Sequence, residues 1–218
     1  CTPKRSLDDL VLSDDVRSRI DRVLEEQRAA DRLREYGFEP ARKLLLWGPP
    51  GTGKTVTAEA LAKSLGLPLC IVQTHAVIDS HLGNTAKNMR TVFDMMEQKR
   101  GVYFFDEFDS IANSRDSADN EVGEMKRAVN MLLVSIESDT SSSVIVAATN
   151  LKDRIDSAFT RRFDVLLSYS TASAAMAEAI MRAQFERFDT SELTLEMLRV
   201  MAANMGHADV EAACKSVA

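Results

Sequence analysis

Cysteine is scarce in this chain: three in 218 residues, at positions 1, 70 and 214. The count is odd and the spacing unpaired, which excludes a disulfide framework and a zinc site built on paired cysteines. Cys70 stands in a strand-like run and Cys214 on an apolar helical face, so both read as buried thiols. That fits a reducing compartment, and a cytoplasmic location is expected. Aromatic residues make up only 6%, with a single Trp; ten Met help to fill a core that a hydrophobic content of 45% can supply. No apolar run approaches the roughly 20 residues of a bilayer span, and no signal peptide is visible. Basic residues are outnumbered, 27 against 33 acidic, giving a net charge of −6. Nothing in the overall charge draws the chain toward nucleic acid or an anionic membrane. The three His, at 75, 81 and 207, have no metal-ligand spacing. No internal repeat is present. The chain begins at Cys1 rather than Met and ends inside a helical pattern at Ala218, so it is expected to be a fragment.

Three of the nine glycines fall within six residues, in the octet GPPGTGKT at 48–55. The pattern G-x-x-x-x-G-K-[ST] is filled at every fixed position by Gly48, Gly53, Lys54 and Thr55. Glycines let the backbone fold tightly and approach a ligand without Cβ interference. Successive main-chain N–H groups then face one concavity, which suits a polyphosphate. The context is that of a phosphate cradle: the apolar run Lys43 to Trp47 before it is of strand length. A helical pattern with Ala58, Leu61, Ala62 and Leu65 follows, stopped by Gly66 and Pro68. Pro50, Gly51, Thr52, Gly53, Lys54, Thr55 and Val56 are the expected phosphate contacts. Lys54 is to reach the β- and γ-phosphates and Thr55 to hold Mg²⁺.

A second signal closes the apolar run Val102 to Phe105 with Asp106 and Glu107. A carboxylate at the carboxyl end of a strand projects into the crevice where parallel sheets bind ligands. Asp106 is expected to hold Mg²⁺ and Glu107 to orient or deprotonate an attacking water. A third run, Val144 to Ala148, leads to Thr149 and Asn150. Asn150 can hydrogen-bond both a γ-phosphate and the water; read alone, it is an ordinary turn residue.

Further strands are expected at Leu10 to Leu12, Leu69 to Val72 and Val165 to Leu167. Helices are expected as an exposed charged one before residue 36, and at 85–98 and 121–137, with 112–124 a polar loop. Strands alternating with helices predict an α/β fold with a parallel sheet covered on both faces. After Ser168 the pattern turns helical, at 171–188, 193–204 and 207–217. The chain therefore divides into a large α/β nucleotide-binding domain, 1–168, and a small helical lid, 169–218.

Together these residues resemble the AAA+ ATPases, and within them the branch that remodels or unfolds proteins. GPPGTGKT matches Walker A, YFFDE (103–107) Walker B, and VAATN (146–150) sensor 1, with Asn150 as the sensor. IDSAFTRRFD (155–164) resembles the arginine-finger segment, and HADVEAAC (207–214) the start of the sensor-2 helix. The resemblance implies a P-loop NTPase core with a helical lid and ATP and Mg²⁺ as ligands. It also implies a head-to-tail homohexamer that grips a polypeptide substrate. Leu12, His207 and Ala208 are expected near the base. Arg161 or Arg162, with Arg162 preferred, is to reach a neighbour's γ-phosphate, or both are surface arginines in salt bridges. His81-Leu82-Gly83 occupies the place of an aromatic–hydrophobic–glycine pore loop, or His81 is a plain loop histidine.

Two departures from the family pattern stand out. The fingers lack a Pro-Gly spacer, and Glu137-Ser138 replaces an acidic–glycine signal between subunits. A nucleic-acid motor on the same core would bring a sensor-2 arginine or a basic inner surface, and neither is visible.

Overall fold

The computed structural model describes residues 3, 5–77, 82–106, 120–150 and 157–185. Five strands form one sheet: β1 (Lys43–Trp47), β2 (Leu69–Gln73), β3 (Val102–Asp106), β4 (Val144–Thr149) and β5 (Val165–Ser168). Their order is β2-β3-β4-β1-β5, and every pairing is parallel. The helices are α1 (Asp14–Arg28), α2 (Ala30–Glu35), α3 (Lys54–Leu65), α4 (Thr74–Val77), α5 (Leu82–Gln98), α6 (Asn120–Ser138), α7 (Ser157–Thr160) and α8 (Ala174–Phe185).

The strands alternate their side chains between two apolar layers, as a period of two requires. Leu44, Leu46, Phe104, Val146 and Leu167 face α1 and α3. Leu45, Tyr103, Phe105, Ile145 and Ala147 face α5 and α6, where Met89, Met96, Leu132 and Ile136 are buried. Burial on both faces explains why the strands read as continuous apolar runs. Because all strands run the same way, every carboxyl end lies on one edge. There β1 delivers the glycine loop, β3 delivers Asp106, β4 leads to Asn150 and β5 leads to Tyr169.

Several expectations need correction. Leu10 to Leu12 form no strand; they follow a short 3-10 helix, Leu7–Asp9, and Leu10 and Leu12 pack against the α1–α3 layer. α1 is not simply exposed: Val16, Ile20, Val23, Leu24 and Gln27 bury one face, and its Ser13 cap accepts from Val16 N–H. α5 begins at Leu82, three residues before the expected start, so Leu82 and Gly83 open a helix rather than sit in a loop. α6 begins at Asn120, inside the stretch expected to be loop. The helix expected at 171–188 is Ala174–Phe185, with Ser173 Oγ accepting from Met176 N–H. Those expected at 193–204 and 207–217 lie outside the described residues.

No described helix is long and apolar enough to cross a membrane. One buried ion pair ties the amino ends of the strands: Arg42, just before β1, meets the Asp139 carboxylate and its carbonyl beyond α6. Asp164 Oδ2 accepts from the backbone N–H of both Arg42 and Lys43, at 2.9 Å each. Burial lowers the Lys43 ammonium's affinity for its proton, with Arg42 adding to the effect.

Candidate functional site

The loop between β1 and α3 is shaped by what surrounds its first residue. Gly48 has φ +149°, and its N–H donates to the Thr149 carbonyl at 3.2 Å. A Cβ placed there would lie 2.2 Å from the Tyr169 carbonyl oxygen. Only glycine fits so close to another backbone. The loop then runs out through exposed Pro49, Pro50 and Gly51 and returns through buried Thr52, whose hydroxyl donates to the Pro49 carbonyl at 2.8 Å. Gly53, at φ +94°, turns the chain into α3, so the amino end of that helix faces the loop.

Lys54 is buried despite its charge, with 7% of its surface exposed. Its ammonium donates to the Gly48 and Pro49 carbonyls at 2.7 Å each and to Asn150 Oδ1 at 2.9 Å. That contact spans 96 positions in sequence and joins two of the residues singled out above. The Thr55 hydroxyl donates to Asp106 Oδ2 at 3.3 Å, joining two more. Thr74 Oγ1 donates to the Asp106 backbone carbonyl, which steadies the end of β3. A hydroxyl and a carboxylate side by side are the oxygen donors a hard divalent cation takes, so the residues fit Mg²⁺. Val56 follows in the first turn of α3, half-buried. Leu12 lies near Thr52 and Tyr169 in a crevice of about 20 Å³ that also touches Met176 of α8. Glu107, His81, His207 and Ala208 lie outside the described residues, while Leu82 and Gly83 begin α5.

The two arginines part company. Arg162 Nε donates to Glu137 Oε2 at 2.8 Å, with its side chain only 17% exposed. Arg161 is exposed and makes no ion pair or hydrogen bond with any described residue. It lies on a broad concavity of about 1280 Å³ at the amino ends of β1 and β5. That groove is lined by Arg22 and Arg34, but these are matched by Glu26 and Glu39. No set of catalytic groups converges there, so size alone does not make it the site.

Sequence reasoning passed over two residues. Thr57 and Tyr169 are buried, and the Tyr169 hydroxyl donates to Thr57 Oγ1 at 2.9 Å. Burial pushes the Tyr169 phenol well above its ordinary value, and the bond to Thr57 offsets part of the rise. An aromatic directly after a strand was the only available signal, and Thr57 carried none.

A glycine loop between a strand and a helix, with a buried lysine and an acid from another parallel strand of the same sheet, defines a P-loop nucleotide-binding domain. Residues 44–171 match the family model described as "ATPase family associated with various cellular activities (AAA)". The chain belongs to the AAA family of ATPases. It is 38% identical over 215 residues to an uncharacterized AAA family ATPase, y4kL, of Sinorhizobium fredii; the match covers 97% of this chain and 64% of that protein. It is 34% identical over 197 residues to the peroxisomal ATPase PEX6 of Arabidopsis thaliana, covering 87% of this chain and 21% of the relative. A proteasome-activating nucleotidase of Methanococcus vannielii is 31% identical over 186 residues, with 83% and 46% covered. The chain thus spans less than two thirds of the length of each of these relatives.

Proposed function

We propose that this chain is the motor domain of a protein-remodelling ATPase. In this reading, Mg²⁺-dependent ATP hydrolysis at the glycine loop drives unfolding or disassembly of a polypeptide by a head-to-tail homohexamer in the cytoplasm. The observation that carries the reading is a convergence: an ammonium (Lys54), a hydroxyl (Thr55), a carboxylate (Asp106) and an amide (Asn150) meet at one loop, supplied by three adjacent parallel strands. Phosphoryl transfer asks little covalent chemistry of a protein; it asks for positioning and for charge stabilisation. These groups supply both. A relative named for activating the proteasome supports work on polypeptides.

Backbone N–H groups of residues 51–56, with Pro50 at the edge of the loop, and the Lys54 ammonium would hold the phosphates, the ammonium exchanging its carbonyl partners for phosphate oxygens. Thr55 and Asp106 would hold Mg²⁺, which when bound neutralises charge on the phosphates. Asn150 would hydrogen-bond the water and the γ-phosphate, and Glu107 would take the water's proton. Leu12, with His207 and Ala208, would border the base.

Arg161 stands near the amino ends of the strands, whereas Lys54 stands at their carboxyl ends. The four residues of β5 alone separate those edges by about 13 Å. Arg161 therefore serves a neighbouring copy's nucleotide, which supports a site shared in trans and a ring-closing assembly. The preference for Arg162 moves to Arg161, because Arg162 is engaged by Glu137 of its own chain. The lid that begins with α8 and the segment His81-Leu82-Gly83 would transmit the motion to substrate.

The test is calorimetric titration of MgATP into the Lys54→Ala variant. Binding is expected to disappear while the variant stays folded by far-UV circular dichroism. Affinity equal to the parent's would overturn the phosphate role and the reading with it.

A further inference from the structure

One short hydrogen-bonded chain encloses the glycine loop, and Tyr169 is its centre. The Tyr169 N–H donates to the Trp47 carbonyl at 2.8 Å, extending the β1–β5 pairing by one residue to the mouth of the loop. Its carbonyl carbon, carbonyl oxygen and Cβ all lie against Gly48, the loop's first residue. Its hydroxyl donates to Thr57 Oγ1 at 2.9 Å, and that hydroxyl in turn donates to the Gly53 carbonyl at 2.9 Å, at the loop's far end. The donors run in one direction, Tyr169 to Thr57 to Gly53, so the phenol must stay protonated; its burial keeps it so. Five residues further on, α8 begins at Ala174. Met176 of that helix and Tyr169 line the same crevice as Thr52 of the loop.

We infer that Tyr169 is a positioning residue that sets the distance between the two ends of the phosphate loop and ties that distance to the docking of α8. The inference rests on the nucleotide-binding reading above. A phenylalanine would fill the same volume but leave Thr57 Oγ1 without its donor. The loop would then spend less time in the open cradle, and nucleotide affinity falls in proportion to that fraction. Loss of one buried hydrogen bond sets the scale at roughly fivefold.

The experiment uses the full chain and a fluorescent ATP analogue. Parent, Tyr169→Phe, Thr57→Val, the double variant and Thr57→Ser are titrated, and amide hydrogen exchange is followed across residues 48–53. Tyr169→Phe and Thr57→Val are each expected to weaken binding roughly fivefold and to speed exchange in the loop. The double variant should be no weaker than Thr57→Val alone, because that substitution already breaks the bond that Tyr169→Phe removes. Thr57→Ser keeps the hydroxyl and should bind as the parent does. Should Tyr169→Phe fail to fold, the Thr57→Val and Thr57→Ser pair decides alone. If the parent binds and the Phe and Val variants bind equally well with unchanged loop exchange, the inference is overturned while nucleotide binding stands. A parent that binds no nucleotide removes the underlying reading instead.

Discussion

Replacing Gly48 with alanine tests how tightly the phosphate loop is built into the sheet. The added Cβ would sit 2.2 Å from the Tyr169 carbonyl oxygen and 2.8 Å from its carbonyl carbon and Cβ. Carbon atoms in contact settle at about 3.5–4.0 Å. The nearest obstructing atom is backbone, pinned by the 2.8 Å bond from Tyr169 N–H to Trp47, and no rotamer change relieves it. Either the edge strand β5 or the entry to the loop must move by more than about 1 Å. Overpacking of this kind costs about 1–3 kcal/mol, and forcing φ +149° on a residue with a Cβ costs about as much again. Against a domain stability of about 5–15 kcal/mol, a loss of several kcal/mol is severe. Gly53 is the control within the same loop. Its φ is +94°, but an added Cβ meets nothing within 4 Å, so Gly53→Ala should cost only the backbone strain, about 1–2 kcal/mol. Urea unfolding followed by far-UV circular dichroism measures both. Equal destabilisation by the two substitutions would refute the reasoning, because the contact with Tyr169 would then carry no energy.

Three other outcomes are expected. Arg42→Ala leaves the Asp139 carboxylate, whose side chain is 2% exposed, without its guanidinium, and should cost about 3–5 kcal/mol in urea unfolding. The Arg42→Ala/Asp139→Ala double variant should recover part of that loss; a single-variant cost under about 1 kcal/mol would contradict the account. Arg161→Ala should lower ATP turnover on the order of a thousandfold at unchanged stability, and mixing it with Lys54→Ala subunits should restore some activity. Arg162→Ala should instead act on stability, modestly, since Glu137 is 60% exposed; the opposite pattern would return the finger to Arg162. Burial, with Cys70 adding to it, pushes the Tyr103 phenol from its ordinary 10 up to about 12, and burial raises Tyr169 too. Protonated in the fold, both contribute stability that is full below pH 10 and is lost as pH climbs toward 12. Urea midpoints across that range should fall less steeply in the Tyr103→Phe/Tyr169→Phe variant, and identical slopes would rule this out.

What was legible in the sequence was whatever depends on neighbours along the chain. β1, β3 and β4 read as apolar runs because both of their faces are covered, and Gly48 to Thr55 read as a loop because its glycines sit at fixed offsets. Leu10 to Leu12 misled for the complementary reason. Their apolar character serves the surface of α1 and α3 and has no strand to pair with. In α1 the many charges obscured the buried stripe of Val16, Ile20, Val23 and Leu24. The Tyr169–Thr57 bond spans 112 positions and the Arg162–Glu137 pair 25; neither leaves a local trace.

The occupied state of the Lys54 ammonium bears on which anions the loop accepts. Three oxygens already surround that nitrogen, so an incoming anion gains only the difference between its own contacts and those it displaces. A run of phosphates laid along the loop would meet the ammonium and the main-chain amides at once, whereas a lone orthophosphate would reach fewer of them. Under the proposed nucleotide-binding reading, the resting contacts of Lys54 would favour the longer anion before any base or sugar is recognised.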